Sequence, residues 1–452
     1  MLHGRHARLL VTGLVGAGAL LPLTAGAATP AAAEPAAATP AAAGPCSPTF
    51  RDRPVCAQET PVDQASFVDP SAGVTAAEHV ELEGRVYVGP FARLLAEPTA
   101  PIVLGAESNV QDSVIVNAVV DRTTAERRRI AGLGLEPGVR TGERVILAHG
   151  SSAHGPARLG VLPAGEEGPE DDSGVFVSFG ARVDGAVIER DSGLSALSRV
   201  GPGVRLRSGT IVLPGKDVQT QAEADDPALG KVRPITQADR LFNEGVVEVN
   251  VGLAREYSRL AREDEDAVRG IGVDPGGNVF DRARDAPRVE SALCTGPEVV
   301  DPAFRNRLIG NACFEDSRAR LDDVLGDRIS IRADEGGPFG LGPISSMGDR
   351  VVFHALEGSD LRVGSRVTYG EGVIVHGGGR PAVDPTTQLA APTVIGNDVV
   401  LGDRAVVFRS LVRNGATIGR RSAVVGSELA IGQRVPARTI YANDEVFGRV
   451  EW

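Results

Sequence analysis

VIGNDVVLGDRAVVF, residues 394–408, repeats itself every six positions. Ile395, Leu401 and Val407 mark the period, and Gly396 and Gly402 follow the first two. PIVLGAESNVQDSVIVNA, residues 101–118, has the same beat in Leu104, Val110 and Val116. A six-residue unit with one inward aliphatic, a small residue after it and polar residues at the corner makes a short strand and a tight turn. Three units close a triangular coil, and stacked coils bury one aliphatic column per face. Amphipathic antiparallel strands would alternate with period two throughout. The predicted fold class is mainly β: two left-handed parallel β-helix domains of hexapeptide repeats, the first followed by an α-helix.

The repeats fall in two regions, about 68–230 and 328–445. After the first, Val251, Leu253, Tyr257 and Leu260 have helical spacing with a polar far side. The expected domains are a first β-helix with its helix over 67–264, a charged linker over 265–327, and a second β-helix over 328–452. GGGRPAVDPTTQLAAPT, residues 377–393, reads as a loop between coils. With 56 Gly, 30 Pro and 4% aromatics, the composition excludes an ordinary helical bundle and fits many short turns.

Residues 1–27 read as a secretory signal: His3, Arg5 and Arg8, then an apolar run, then Ala25-Gly26-Ala27. That run is too short and too interrupted by glycine to make a good membrane span. An Ala/Pro-rich spacer follows over 28–66, its tract ATPAAAEPAAATPAAAGP having nothing to bury and the rest carrying the Cys46/Cys56 loop. A secreted, extracellular protein without a membrane anchor is expected. Its four cysteines allow three pairings. The local one, Cys46–Cys56 and Cys294–Cys313, is expected because each pair sits outside the regular segments. The net charge of −12 makes nucleic acid and anionic membranes poor partners.

The chain is poor in histidine, with seven in 452 residues. Around the few it has, it resembles the γ-class carbonic anhydrases. In the first region the likeness rests on PIVLGAESNVQDSVIVNAVV, VILAHGSSAHGPARLG, GTIVLPGKDVQTQAEADD and NEGVVEVNVGLAREY. In the second it rests on ISIRADEGGPFGLG, DRVVFHALEG and VGSRVTYGEGVIVHGG. The chain therefore resembles a tandem duplication of one such unit. The resemblance implies zinc, or another divalent ion such as iron or cobalt, held by three histidines at a cleft between subunits of a trimer, with CO2 and bicarbonate as substrates. At those three places the first region offers Asn117, His149 and His154, and the second offers His354, Glu371 and His376. Of the five histidines beyond the signal, only His79 lies elsewhere.

Two histidines and a carboxylate are an established zinc set, so the second region's own set, with Glu371, is the expected working site. A mixed site in which His354 and His376 meet His149 is the other arrangement. The assembly is then a homotrimer or an intramolecular pairing of the two domains. By the same resemblance Glu335 and Glu357 move the released proton. Gln111, Asp112 and Asp349 hold ligands or the nucleophile, and Arg332 with Asp334 braces the contact. Leu95 and Pro98 stand where the family has its arginine and a glutamate, and Gly348 replaces its glutamine. These departures favour a rival reading as a catalytically degenerate scaffold or anion-binding protein. A hexapeptide-repeat acyltransferase is a third reading.

Overall fold

The computed structural model describes residues 61–162, 174–263, 270–271, 299–300, 305–310, 312–334, 339–356, 359, 361–378, 380–383 and 390–452. The signal, most of the spacer, Glu335, Glu357, Cys46, Cys56 and Cys294 lie outside these residues, and so does one partner or both of each expected cysteine pair.

Two β-helices are present among the described residues, each with three faces of parallel strands, the largest face closed by one antiparallel strand. The first has faces of eight, seven and six strands, and the second of eight, six and five. Inward positions stack coil upon coil. On the eight-stranded face of the first β-helix, Val88, Val110, Leu147, Val177, Leu194 and Val212 are successive register partners. Each is at most 1% exposed. Ile331, Phe353, Val375, Val407 and Val424 form the matching column in the second. Burying such a side chain contributes about 1.5–3 kcal/mol, so one column contributes more than any ion pair on the surface. Glycine makes the corners possible: a Cβ on Gly105 would sit 2.3 Å from the Gly142 carbonyl oxygen, and one on Gly142 would sit 2.3 Å from that of Gly160.

Among the described residues four α-helices decorate the coils: α1 (Thr124–Ala131), α2 (Gln221–Asp225), α3 (Gln237–Glu263) and α4 (Arg318–Val324). Helix α1 is inserted between coils and opens on a capping box, Thr123 with Glu126. No helix among the described residues is long and apolar enough to cross a membrane.

The second β-helix begins earlier than the sequence suggested. Strands Arg307–Gly310 and Ala312–Phe314, inside the stretch expected to be linker, pair with Ser330–Ala333 and Phe339–Leu341. Helix α4 interrupts their hexapeptide spacing, which hides it from a periodicity count. Cys313 therefore lies in a regular strand, buried. The 377–393 stretch, expected as a loop, carries an antiparallel pair, Arg380–Val383 with Ala390–Ala391.

The two domains pack through their eight-stranded faces and α3. Outward residues Ile146 and Phe176 of the first meet Val352, Ile374, Val406 and Phe408 of the second, with Val246 and Val247 of α3. Deeper along the same seam, Phe67 and Tyr87 cluster with Leu253 and Tyr257 of α3 and with Ile309. The indole N–H of Trp452 donates to the Leu197 carbonyl at 2.7 Å, tying the far end of the second β-helix to the first.

Candidate metal centre

His354 and His376 each end a strand, Val352–His354 and Ile374–His376. They are direct register partners on adjacent coils. Strand alternation turns Phe353 and Val375 inward and both imidazoles outward, toward the first β-helix. His149 stands at a corner of that β-helix, just past strand Val145–Leu147. Gly150 beside it has φ +66°, and a Cβ there would lie 3.0 Å from Ile374 Cδ1. A side chain there would press on Ile374 at the point where the histidines meet and would be strained in that backbone conformation.

All three histidines are buried, at 0–3% exposure, and each brings a ring nitrogen within 4.8 Å of the others. His149 Nε2 and His354 Nδ1 are 3.2 Å apart. Two nitrogens on a tetrahedral ion at bond lengths of about 2.0–2.1 Å lie about 3.3 Å apart, so this donor set fits zinc. Phe179 and Phe408 wall the cluster, with ring centroids 4.9 and 5.4 Å from that of His376.

Charged groups behind the rings orient them. Asp112 Oδ1 approaches His149 Nδ1 at 3.4 Å, and Asp334 Oδ1 approaches His354 Nε2 at 3.3 Å. His376 Nδ1 lies 2.5 Å from the Gly377 carbonyl, which leaves Nε2 for the centre. The Gln111 side-chain oxygen accepts the His149 backbone N–H at 3.2 Å. Arg332, 1% exposed, joins both carboxylates. Its Nε and Nη2 donate to Asp112 at 2.9 Å each, and its Nη1 donates to Asp334 at 2.5 Å. Ser330 also donates to Asp112, and the Tyr257 hydroxyl of α3 donates to Asp334 at 2.5 Å. The Arg332–Asp112 pair crosses the domain seam, as does a second buried pair, Arg307 with Asp69 at 3.1 Å.

Burial pushes Asp112 and Asp334 up, but Arg332 and the neighbouring histidines outweigh it and hold both well below the usual carboxylate range. Burial pushes the Tyr257 hydroxyl well up, reinforced by Asp334, so it stays a donor. Burial lowers His149 to about 4, against the pull of Asp112, and holds His376 well below its ordinary value. These imidazoles are neutral at pH 7, as ligands must be.

A pH prediction follows. An unfolded histidine titrates near 6.5, so between that pH and about 4 the unfolded chain binds more protons than the folded one. Metal-free protein should keep its stability above pH 6.5 and lose it as the pH falls toward 4. Thermal melts from pH 7.5 to 4 should show that slope, and His149→Gln should flatten it. A profile unchanged by the substitution would count against a buried neutral His149.

The other expected residues lie apart from the cluster. Glu371, expected to complete a set with His354 and His376, sits instead at an exposed corner, ion-paired with Arg350. The third imidazole of the cluster comes from the neighbouring β-helix instead. Asp349 occupies the same corner one coil earlier, half-exposed, and accepts the Asp327 backbone N–H at 3.0 Å. Asn117 and His154 are register partners on the seven-stranded face of the first β-helix. His154 sits there among Arg122, Arg182, Arg199 and Asp184, and burial, then Arg182, lowers it to about 4. Leu95, in the same register as Asn117, puts a hydrocarbon where the second β-helix has Arg332. Sequence reading missed Ser330, Tyr257, Phe179 and Phe408. Only Ser330 carried a local signal, since it shares an outward strand face with Arg332.

Hexapeptide coils in two packed β-helices, with three imidazoles gathered across the seam, define a hexapeptide-repeat protein with a candidate metal centre between domains. A carbonic anhydrase from Methanosarcina thermophila is 32% identical over 206 residues, covering 44% of this chain and 75% of that protein. The chain belongs to the γ-class carbonic anhydrase family. It is also 28% identical over 203 residues to the carboxysome assembly protein CcmM of Nostoc sp., covering 44% of this chain and 31% of that protein. A solved hexapeptide transferase family protein from Anaplasma phagocytophilum shares 17% identity at a TM-score of 0.17, over 43% of this chain and 93% of its own. No family model matches the chain.

Proposed function

We propose that the protein catalyses the reversible hydration of CO2 to bicarbonate, using a divalent metal, zinc first among candidates, held by His149, His354 and His376. The observation that carries this reading is the convergence of three buried, outward-turned imidazole nitrogens from both β-helices. When bound, the metal lowers the pKa of a water from 15.7 to about 7, supplying a nucleophile at neutral pH. The protein's own residues do the rest. Asp112 and Asp334 fix the tautomers of His149 and His354 and raise their basicity as ligands. Arg332 and Tyr257 hold the two carboxylates in place. Phe179 and Phe408 keep one side of the site dry, which suits an apolar substrate. Glu335 and Glu357 carry the released proton to buffer, as in the family. The protein acts outside the cell after loss of residues 1–27, with Cys46–Cys56 and Cys294–Cys313 paired. Each chain closes its own site by pairing its two domains, without a trimer.

Metal analysis and stopped-flow CO2 hydration on the purified protein test this reading. The expected result is one zinc per chain and hydration that chelation removes and zinc restores. The scaffold reading is favoured by Leu95, Pro98, Asn117 and Gly348, and by the likeness to an assembly protein. Metal-free protein that stays inert with added zinc would replace the enzyme by the scaffold.

A further inference from the structure

Five arginines form a ladder along one corner of the second β-helix. The strands that follow that corner are register partners from Ser330 through Val352, Ile374, Val406, Ala423 and Ile440. Two residues before each partner stand Arg328, Arg350, Gly372, Arg404, Arg421 and Arg438, so the rungs are one coil apart, about 4.8 Å. All six are left-handed, with φ between 52° and 65°. Glycine adopts that conformation freely, whereas an L side chain is strained in it. The corresponding corner of the first β-helix has Phe91, Ser113, Gly150, Gly180, Leu197 and Gly215, and Gly150 and Gly215 there abut the second domain. Arg85 and Arg366, left-handed at other corners, each pair with a carboxylate, Glu107 and Asp398.

The ladder is neutralised in this way only in part, at Arg350. Arg404 is exposed and has no carboxylate partner among the described residues. Arg328 is exposed and reaches Asp349 only at 3.9 Å. Arg350 pairs with Glu371, Arg438 donates to the Val450 carbonyl, and Arg421 lies 4.3 Å over the Trp452 ring. Of the nearby carboxylates, Asp349 and Asp403 accept backbone N–H groups of Asp327 and Glu371, and Asp327 lies 3.6 Å from Arg305. Across the seam, Arg93, Arg182 and Arg199 share one register column of the first β-helix. Asp184 on that face is already met by Arg122, Arg182 and Arg199. The walls sense each other. Burial lowers Arg350 and Arg421 from the usual guanidinium value, and repulsion from Arg328, Arg404 and Arg438 adds to it. So does repulsion from Arg93 upon Arg350 and from Arg199 upon Arg421.

We propose that this arginine-lined seam between the two β-helices binds a linear acidic polysaccharide along its length. Planar guanidinium forks spaced one coil apart match a chain of carboxylates or sulfates better than a single small anion. Single-stranded nucleic acid is bound by aromatic rings as well as by cations, and Trp452, the ring stacked against the ladder, is already covered by Arg421. A second copy of the chain does not fit. The apolar face that packs here between domains is already used once within each chain.

The test uses the full-length purified protein and polygalacturonate, with dextran as neutral control and oligothymidylate as rival polyanion. Binding to polygalacturonate alone is expected at about 0.05 M salt, fading by about 0.5 M as screening shortens the Debye length. Arg328→Gly with Arg404→Gly should weaken it by about tenfold or more. Glycine suits φ 59° and 55°, so the melting temperature should hold or rise, and CO2 hydration should not change. The proposal is overturned if the parent binds polygalacturonate no better than dextran. It is equally overturned if the folded double variant binds as the parent does, or if oligothymidylate binds as tightly.

Discussion

His149→Ala should empty the metal centre although it alters only the first β-helix. Metal affinity should fall by more than about 100-fold, because loss of a ligand exceeds the 10- to 100-fold typical of losing a ligand's hydrogen-bond partner. CO2 hydration should fall with it. Glu371→Ala, in the domain that supplies His354 and His376, should leave both unchanged. This is the opposite of what a self-contained second domain would give. The geometry sets the expectation: His149 Nε2 is 3.2 Å from His354 Nδ1, whereas Glu371 is half-exposed beside Arg350. Metal analysis with stopped-flow hydration on the two variants decides it. Metal kept in His149→Ala and lost in Glu371→Ala would move the site into the second β-helix. Since His149→Ala leaves a cavity at a packed seam, His149→Gln serves as the better-folded companion and should also lose the metal.

The coil was readable because its cause is local. A six-residue period in Ile395, Leu401 and Val407 encodes strand, corner and inward column at once, and the register partners in the structure follow it. The pairing of His354 with His376 needed only the knowledge that one coil separates them. Which faces dock was not readable. That choice rests on outward residues such as Ile146, Phe176, Val352, Ile374 and Val406, single apolar positions lying on different coils. No window of sequence gathers them, although together they form one cluster. The same limit hid the third ligand, since nothing local distinguishes His149 from Glu371 as the partner of His354. Tyr257 was expected to lie on the helix's apolar side, and it does. Its hydroxyl contact with Asp334 could not be foreseen, because the two lie 77 residues apart and meet only when α3 fills the seam.

That seam is held by charge as well as by apolar packing, and Arg332→Met should expose how much. Arg332, Asp112 and Asp334 are buried to 1% exposure or less. Taking away the guanidinium leaves two carboxylates in a space that favours their neutral form. Breaking a buried pair in this way costs about 3–5 kcal/mol, or a melting temperature lower by about 5 °C in a chain of this size. The sign of the pH dependence distinguishes this from simple loss of packing. In the parent both carboxyls are held below their unfolded values, so their contribution is present above pH 4 and lost as pH falls through the folded values. In Arg332→Met the largest opposition to burial is gone and both carboxyls rise, so the folded variant takes up protons at a higher pH than the parent. The deficit should therefore be largest at pH 7.5 and narrow by pH 5. Arg332→Lys keeps the charge but loses the two-pronged contact with Asp112, so it should fall between the two at pH 7.5. A constant deficit across that range in Arg332→Met would mean that methionine packs badly there and that the ion pairs contribute little.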